Sequence, residues 1–299
     1  MRRRIALLTA AVLLAAGCAA AEGKKLPIDL SPGSAFEGAY ESGNDQVYED
    51  PTIRVERHRF ESSGKEFGCW VYYAIVTIAD PSQLRTYPAN GRDFCKTTRV
   101  PGVKLAQRVR AVLAVNGDYP ATFTGNTAVS YVLRQGEVYR DTVEEGLDML
   151  LIDEDGDFHV LRREEDLAAA DKTQVNGKKV INAFQFGPAL VIDGEPVDDG
   201  TLLDKSRSPM YANPGDQEQR MIICQIDTLK YMVVSVAHWG ATLPTMRDIA
   251  MSLAPCKTVY TLDGGESAQM VFLGTLINNT GGSNGNRDLA DIIYFASAQ

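Results

Sequence analysis

The sequence predicts an α+β fold: a mixed, largely antiparallel sheet core with a few packed helices, in a single domain. Three observations carry this. Runs rich in β-branched and aromatic residues recur along the chain and are joined by short turn dipeptides. Apolar residues at helical spacing occur in few stretches. From residue 51 to the end there is neither a linker nor an internal repeat, so residues 51–299 read as one domain.

The first residues stand apart from this fold. Arg2, Arg3 and Arg4 precede an apolar run, Ile5 to Ala16, that is too short to span a bilayer and long enough for the core of a signal peptide. It ends in Leu14-Ala15-Ala16-Gly17-Cys18, which resembles a bacterial lipobox with its Leu one place further from the Cys than is usual. The expectation is a signal peptide over residues 1–17 and lipidation of Cys18, which anchors an exported protein to the cell membrane. Plain secretion, with cleavage between Ala15 and Ala21, is the alternative. Residues 18–50, with seven acids against two Lys after Cys18, read as a solvated tether.

Within the domain, Thr52 to Phe60 and Cys69 to Ala79 have strand composition. Pro101 to Arg110 reads as a helix running into an apolar strand, Ala111 to Val115. Three hairpins follow, turning at Gln135-Gly136, Asp155-Gly156 and Asp193-Gly194; Asp-Gly tolerates the positive φ of tight turns. Met221 to Ile226 and Tyr231 to Val236 form a further strand pair. Leu243, Met246, Ile249, Ala250 and Leu253 share one helical face and belong to the core.

Composition excludes several functions. The chain is 44% hydrophobic and 23% charged, an ordinary profile for a globular protein. Its formal net charge of −9 makes nucleic acid an unexpected partner, since that binding neutralises many phosphates. Only three His occur, so a His-rich metal centre is not expected, and neither is a cofactor. Besides Cys18 there are Cys69, Cys95, Cys224 and Cys256, none in a CxxC pair. An even number in an exported chain favours disulfides, with Cys69–Cys95 and Cys224–Cys256 as the expected near pairings. A buried free thiol at Cys224 is the alternative.

Three constellations have the residue types for chemistry. Asn116-Gly117-Asp118-Tyr119 follows an apolar strand and puts an amide and a carboxylate where rigid backbone meets a surface; the competing explanation is an Asn-Gly tight turn. Asp263-Gly264-Gly265-Glu266-Ser267 also follows a strand. Its successive N–H groups could cradle an anion, or the segment could simply be a hairpin turn into Gln269–Leu273. It is not a G-x-S-x-G nucleophile elbow, because Gln269 stands at the second Gly and no His follows. Arg134, Arg220 and Arg287 are forks suited to phosphate or carboxylate, or else ordinary surface ion pairs. A Gly-rich loop, Gly281 to Asn286, precedes Arg287.

These segments come in one order. Asn116-Gly117-Asp118-Tyr119, Tyr131-Val132-Leu133-Arg134-Gln135-Gly136, Phe186-Gly187-Pro188-Ala189-Leu190-Val191, Arg220 leading a strand, Leu262-Asp263-Gly264-Gly265-x-Ser267, and Arg287-x-x-x-Asp291-Ile292-Ile293-Tyr294-Phe295 together resemble the phosphodiester glycosidase family over about residues 70–296. The resemblance implies a hydrolase that cleaves the bond between a sugar anomeric carbon and a phosphodiester, on a substrate of the N-acetylglucosamine-1-phosphodiester type. Bacterial relatives are exported and exopolysaccharide-related, so a glycan or glycosyl phosphate is the implied partner. Asp118 and Asp263 match the family's polar motif positions and are the candidate catalytic carboxylates, with the choice open as to which of them faces the reacting carbon as nucleophile or base. The resemblance implies Asn116, Arg134, Arg220, Gly264, Gly265, Ser267, Arg287 and Asp291 as substrate-binding. The chain departs from the family pattern at Pro120, at Cys224 and at Glu266, the last placing a carboxylate beside the expected anion site. Two rival readings use the same residues: a non-catalytic envelope lipoprotein that binds anionic glycans, and a metal-dependent phosphodiesterase.

Overall fold

The structure is a computed structural model that describes residues 46–62, 70–94, 98–118, 130–144, 146–204, 214–237, 240–278 and 286–298. The signal-peptide expectation, the tether expectation up to residue 45 and the Cys18, Cys69 and Cys95 expectations lie outside those residues, as do Tyr119, Pro120 and most of the Gly-rich loop.

In chain order the strands are β1 (Val47–Asp50), β2 (Ile53–Glu61), β3 (Trp70–Ile78), β4 (Leu84–Pro88), β5 (Leu113–Asn116), β6 (Val132–Arg134), β7 (Glu137–Arg140), β8 (Met149–Asp153), β9 (Phe158–Leu161) and β10 (Gln174–Val175). They continue with β11 (Lys178–Gln185), β12 (Ala189–Ile192), β13 (Glu195–Pro196), β14 (Met221–Asp227), β15 (Lys230–Val236), β16 (Thr258–Leu262), β17 (Met270–Phe272), β18 (Thr275–Leu276) and β19 (Asp291–Phe295). The helices are α1 (Gly102–Arg108), α2 (Asp199–Leu203) and α3 (Leu243–Leu253). Strand accounts for 45% of the structure. The expected α+β balance is therefore corrected to a mostly β protein; the antiparallel expectation holds in every ladder between the described strands. β1 also brings residues 47–50 into the sheet, so the folded part starts before the expected boundary at 51.

Eight strands form one sheet in the order β1-β2-β3-β15-β14-β16-β12-β13. A second has the order β18-β17-β5-β19-β4, and a third β7-β6-β11-β8-β9 with β10 on β11. The main core lies where the three meet. Val55, Val76, Ile223, Val233 and Leu262 of the first sheet face Leu113, Val115, Met270, Phe272 and Ile293 of the second, with Leu150 and Phe184 from the third. The other face of the large sheet is covered by α3 through Leu243, Met246 and Ala250. The outer face of the second sheet is covered by α1 through Leu105 and Ala106. β15 is buried on both faces, Tyr231 and Val233 inward, Met232 and Val234 toward α3. That is why its sequence is almost continuously apolar.

Local chemistry explains the element ends. The Thr242 hydroxyl accepts the Thr245 N–H at 3.2 Å and caps α3. Asp193 and Gly194 both take positive φ between β12 and β13, as a two-residue hairpin requires. Cys224 in β14 and Cys256 after α3 do not form the expected disulfide. They are buried thiols hydrogen-bonded to each other.

Candidate active site

The ends of β5, β16 and β19 meet at one place. Asn116 ends β5 and pairs with Ile292 of β19, and its Nδ2 donates to the Asp263 carbonyl at 2.9 Å. Its Oδ1 is buried without a hydrogen-bond partner. The Asn-Gly tight turn is not formed, since neither Asn116 nor Gly117 has positive φ. Gly117 is needed for a close approach instead: a Cβ there would lie 2.4 Å from Asp291 Oδ1.

Asp118 follows with its backbone N–H on Asp291 Oδ1 at 2.5 Å, while its own Oδ2 faces Arg140 Nη2 at 3.2 Å. Arg140 is held in turn by the Ser130 carbonyl and, at 3.1 Å, by the Ser130 hydroxyl. Sequence reading missed Arg140. Its one signal was a second Arg at the far end of the hairpin that begins at Arg134.

Asp263 is the electrostatic centre of the site. Burial pushes its carboxyl up to about 6. The Ser267 hydroxyl, the Arg287 charge and the Gly264 N–H oppose that rise, and the Asp118 charge adds to it. Asp263 Oδ2 has no hydrogen-bond partner, with Arg287 Nη1 3.9 Å away. Arg287 Nη1 donates to Ser267 Oγ at 3.2 Å, and its Nη2 lies 3.7 Å from Glu266 Oε2. Glu266 is thus turned onto the guanidinium. Gln269, where the elbow motif would have Gly, donates to the Arg287 carbonyl at 2.5 Å and fixes the segment before β19.

The remaining expected residues lie around this centre. Arg134 is wholly buried: its Nε bonds Asp291 Oδ2 at 3.2 Å, its Nη1 bonds the Leu133 and Ala183 carbonyls, and its guanidinium lies 3.8 Å from the Phe184 ring centroid. It and Asp291 form an interior pair, and Asp291 Oδ1 accepts the Asp118 backbone N–H, so the structure places both beneath the site rather than at its surface. Arg220 turns its Nε to the Ala241 carbonyl at 3.1 Å and its Nη2 to the Asp216 carbonyl at 3.2 Å, and burial lowers its pKa. Those bonds hold the segment before β14. The two N–H groups of the expected anion nest have partners within the chain. The Gly265 N–H is taken by the Gln219 carbonyl at 2.9 Å and the Gly264 N–H by Asp263 itself. Gly264 is required because a Cβ there would lie 2.4 Å from the Gln219 oxygen.

A cavity of about 190 Å³ lies elsewhere, against Leu84, Arg85, Gln135, Ile152 and Asn182; Asp118, Asp263, Ser267 and Arg287 do not line it. Among the described residues no three His, Cys, Asp or Glu side chains gather as a metal site.

Two carboxylates in unlike surroundings, each beside a guanidinium, at the meeting ends of antiparallel strands mark the candidate site of this mostly β protein. The family profile of the phosphodiester glycosidases matches residues 109–296, and the chain belongs to that family. Among solved structures it is similar to the catalytic domain of zebrafish N-acetylglucosamine-1-phosphodiester alpha-N-acetylglucosaminidase, auto-inhibited by its pro-peptide. The identity is 16%, the coverage 86% of each chain and the TM-score 0.65. It is also similar to a hypothetical protein from Synechocystis, at 15% identity over 81% of this chain and 62% of that one, with a TM-score of 0.52. No curated protein matches by sequence.

Proposed function

We propose that this chain is an exported glycosidase that hydrolyses the bond between a sugar anomeric carbon and a phosphodiester oxygen. Its substrate is of the N-acetylglucosamine-1-phosphodiester type, in cell-envelope or extracellular glycans. The observation that supports this most is the unlike pair Asp118 and Asp263. Asp118 is charge-balanced by Arg140, while Asp263 is pushed up to about 6 with one oxygen unpartnered. Membership of the family agrees with it. The signal peptide over residues 1–17, the lipid on Cys18 and the tether after it place the enzyme at the membrane surface in this reading.

A phosphate ester is a good leaving group, so its departure from C1 needs less protonation than an ordinary glycoside does. Asp118 faces the positive charge that develops at C1, as nucleophile or as the base that takes a proton from water. The C1–O bond breaks with its electron pair on the phosphate oxygen, and water supplies the hydroxyl of the freed sugar. Arg287 and Ser267 receive the phosphate charge, and Asp263, titrating near neutrality, gives and regains a proton there. Asn116, through its Nδ2 on the Asp263 carbonyl, ties the end of β5 to the end of β16 beside the substrate.

Incubation with an N-acetylglucosamine-1-phosphodiester in oxygen-18 water tests this. The expected result is free sugar carrying the label. Label in the phosphate would move the cut to the P–O bond, and saturable binding without turnover would leave a glycan-binding protein.

A further inference from the structure

Five strands of the large sheet end in line at the candidate site. Leu262 of β16 stands opposite Met221 of β14, Met221 opposite Ser235 of β15, Ser235 opposite Tyr72 of β3, and Tyr72 opposite Arg59 of β2. Two residues beyond Leu262 the same ranks contain Gly264, Gln219, Ala237 and Trp70. The ladder continues there, through Gly265 N–H to the Gln219 carbonyl and Ala237 N–H to the Trp70 carbonyl, both 2.9 Å. Neighbouring strands lie about 4.8 Å apart, so Trp70, three strands over, stands about 14 Å from Gly264.

Residues two apart on a strand share a face. Trp70 therefore sits on the face of Ala74 and Val76, which belong to the core between the two larger sheets, as does Leu262. That is the side from which β5 delivers Asn116 and Asp118. Trp70 is 40% exposed, and the Arg59 guanidinium lies 5.1 Å from its ring centroid. A lone exposed aromatic would mean little. Here the ring carries a cation, β2 adds Arg57 on the same face in a chain of net charge −9, and the rank leads to the carboxylates. An indole offers an apolar plane to the C–H face of a pyranose, and the guanidinium offers paired donors to phosphate oxygens.

We propose that Trp70 and Arg59 form a distal subsite, with Trp70 about 14 Å along the sheet end from Gly264 beside the carboxylate pair, that holds a sugar-phosphate unit of an extended anionic glycan. This rests on the glycosidase reading and deepens it: the preferred substrate is a chain of several units rather than a single glycosyl phosphate. Both residues precede the segment matched by the family profile, residues 109–296.

The chain has two Trp, so Trp239→Phe leaves Trp70 as the sole indole reporter. That variant is titrated with a phosphodiester-linked N-acetylglucosamine oligomer and with the single-unit methyl phosphodiester. The oligomer is expected to change the fluorescence of Trp70 at concentrations about tenfold lower than the short diester. Trp70→Ala and Arg59→Ala are each expected to raise KM for the oligomer about tenfold and to leave hydrolysis of the short diester unchanged. Fluorescence indifferent to the oligomer, or equal losses on both substrates, overturns the subsite. Oligomer binding at Trp70 without turnover by the unmodified chain keeps the subsite and removes the catalytic reading. Equal hydrolysis of both substrates, untouched by Trp70→Ala, does the reverse.

Discussion

Two groups of carboxylates in this molecule look alike in sequence and differ in physics. Asp153, Asp155 and Asp157 surround Lys178 Nζ at 3.5, 2.9 and 3.4 Å, and Asp153 also bonds His159 at 2.9 Å. Burial would raise the Asp153 carboxyl, but His159, the Asp157 and Asp155 N–H groups and Lys178 together bring it below the ordinary range. At the other group, Asp263 keeps an oxygen without a partner and a carboxyl near 6, with Asp118 close enough to raise it further. The first group is electrostatically closed and serves a turn. The second keeps binding capacity in reserve, which is what a ligand requires. Satisfaction of charge, not density of acids, separates a structural cluster from a candidate site.

The sharpest way to break that comparison is Asp263→Asn. Loss of a proton-transferring carboxyl is expected to lower kcat/KM by about 10²–10⁴-fold. In the unmodified enzyme kcat/KM should fall as pH rises through about 6, because Asp263 must carry a proton. Stability moves the other way in the variant. Between the ordinary value of 3.8 and about 6 the folded chain holds a proton that the unfolded chain releases, so native stability drops across that window and stays lowered above it. The asparagine removes this penalty, which amounts to at most about 3 kcal/mol. Its melting temperature relative to the unmodified protein should therefore be higher at about pH 7.5 than at about pH 4. A constant difference across that range would mean that Asp263 is not perturbed in the folded chain.

Next in size is the interior pair beneath the site. Arg134→Met leaves Asp291 buried and unpaired, an expected loss of about 3–5 kcal/mol in urea unfolding. Adding Asp291→Leu should restore most of that stability, since a well-packed apolar pair is often no worse than a buried ion pair. Activity should not return with it, because the Asp118 N–H then has no carboxylate to hold it. Recovery of both would deny the pair any positioning role.

The same residues show what could be seen in the sequence. Turn dipeptides and apolar runs marked most strands, and the polar residues at strand ends marked Asn116, Asp118 and Asp263 for a common reason: rigid strands deliver side chains to a rim. Arg134 could not be placed that way. β6 is buried on both faces, so alternation did not tell inside from outside, and an Arg wholly enclosed by Phe184, Asp291 and carbonyls looks in sequence like any strand-end Arg. Arg140 escaped because its partner, Asp118, lies across a contact that no local pattern encodes. The α+β expectation overstated the helices since α1 and α2 run only seven and five residues. The short ladders β10, β13 and β18 carry too few residues for any periodicity.

The smallest effect is expected at the closed cluster. Lys178 is about a third exposed, so water already screens its three carboxylates. Lys178→Met should leave kcat/KM unchanged, because none of those acids touches the Asp118–Asp263 region. It should cost a little stability near neutral pH, where the lowered Asp153 carboxyl is ionised and favours the folded state. That contribution is present above the ordinary value of 3.8 and is lost as pH falls below it, so variant and unmodified protein should converge in acid unfolding curves. A large loss of activity in this variant would place function at the cluster whose charges are already matched, and the criterion that separates the two groups would fail.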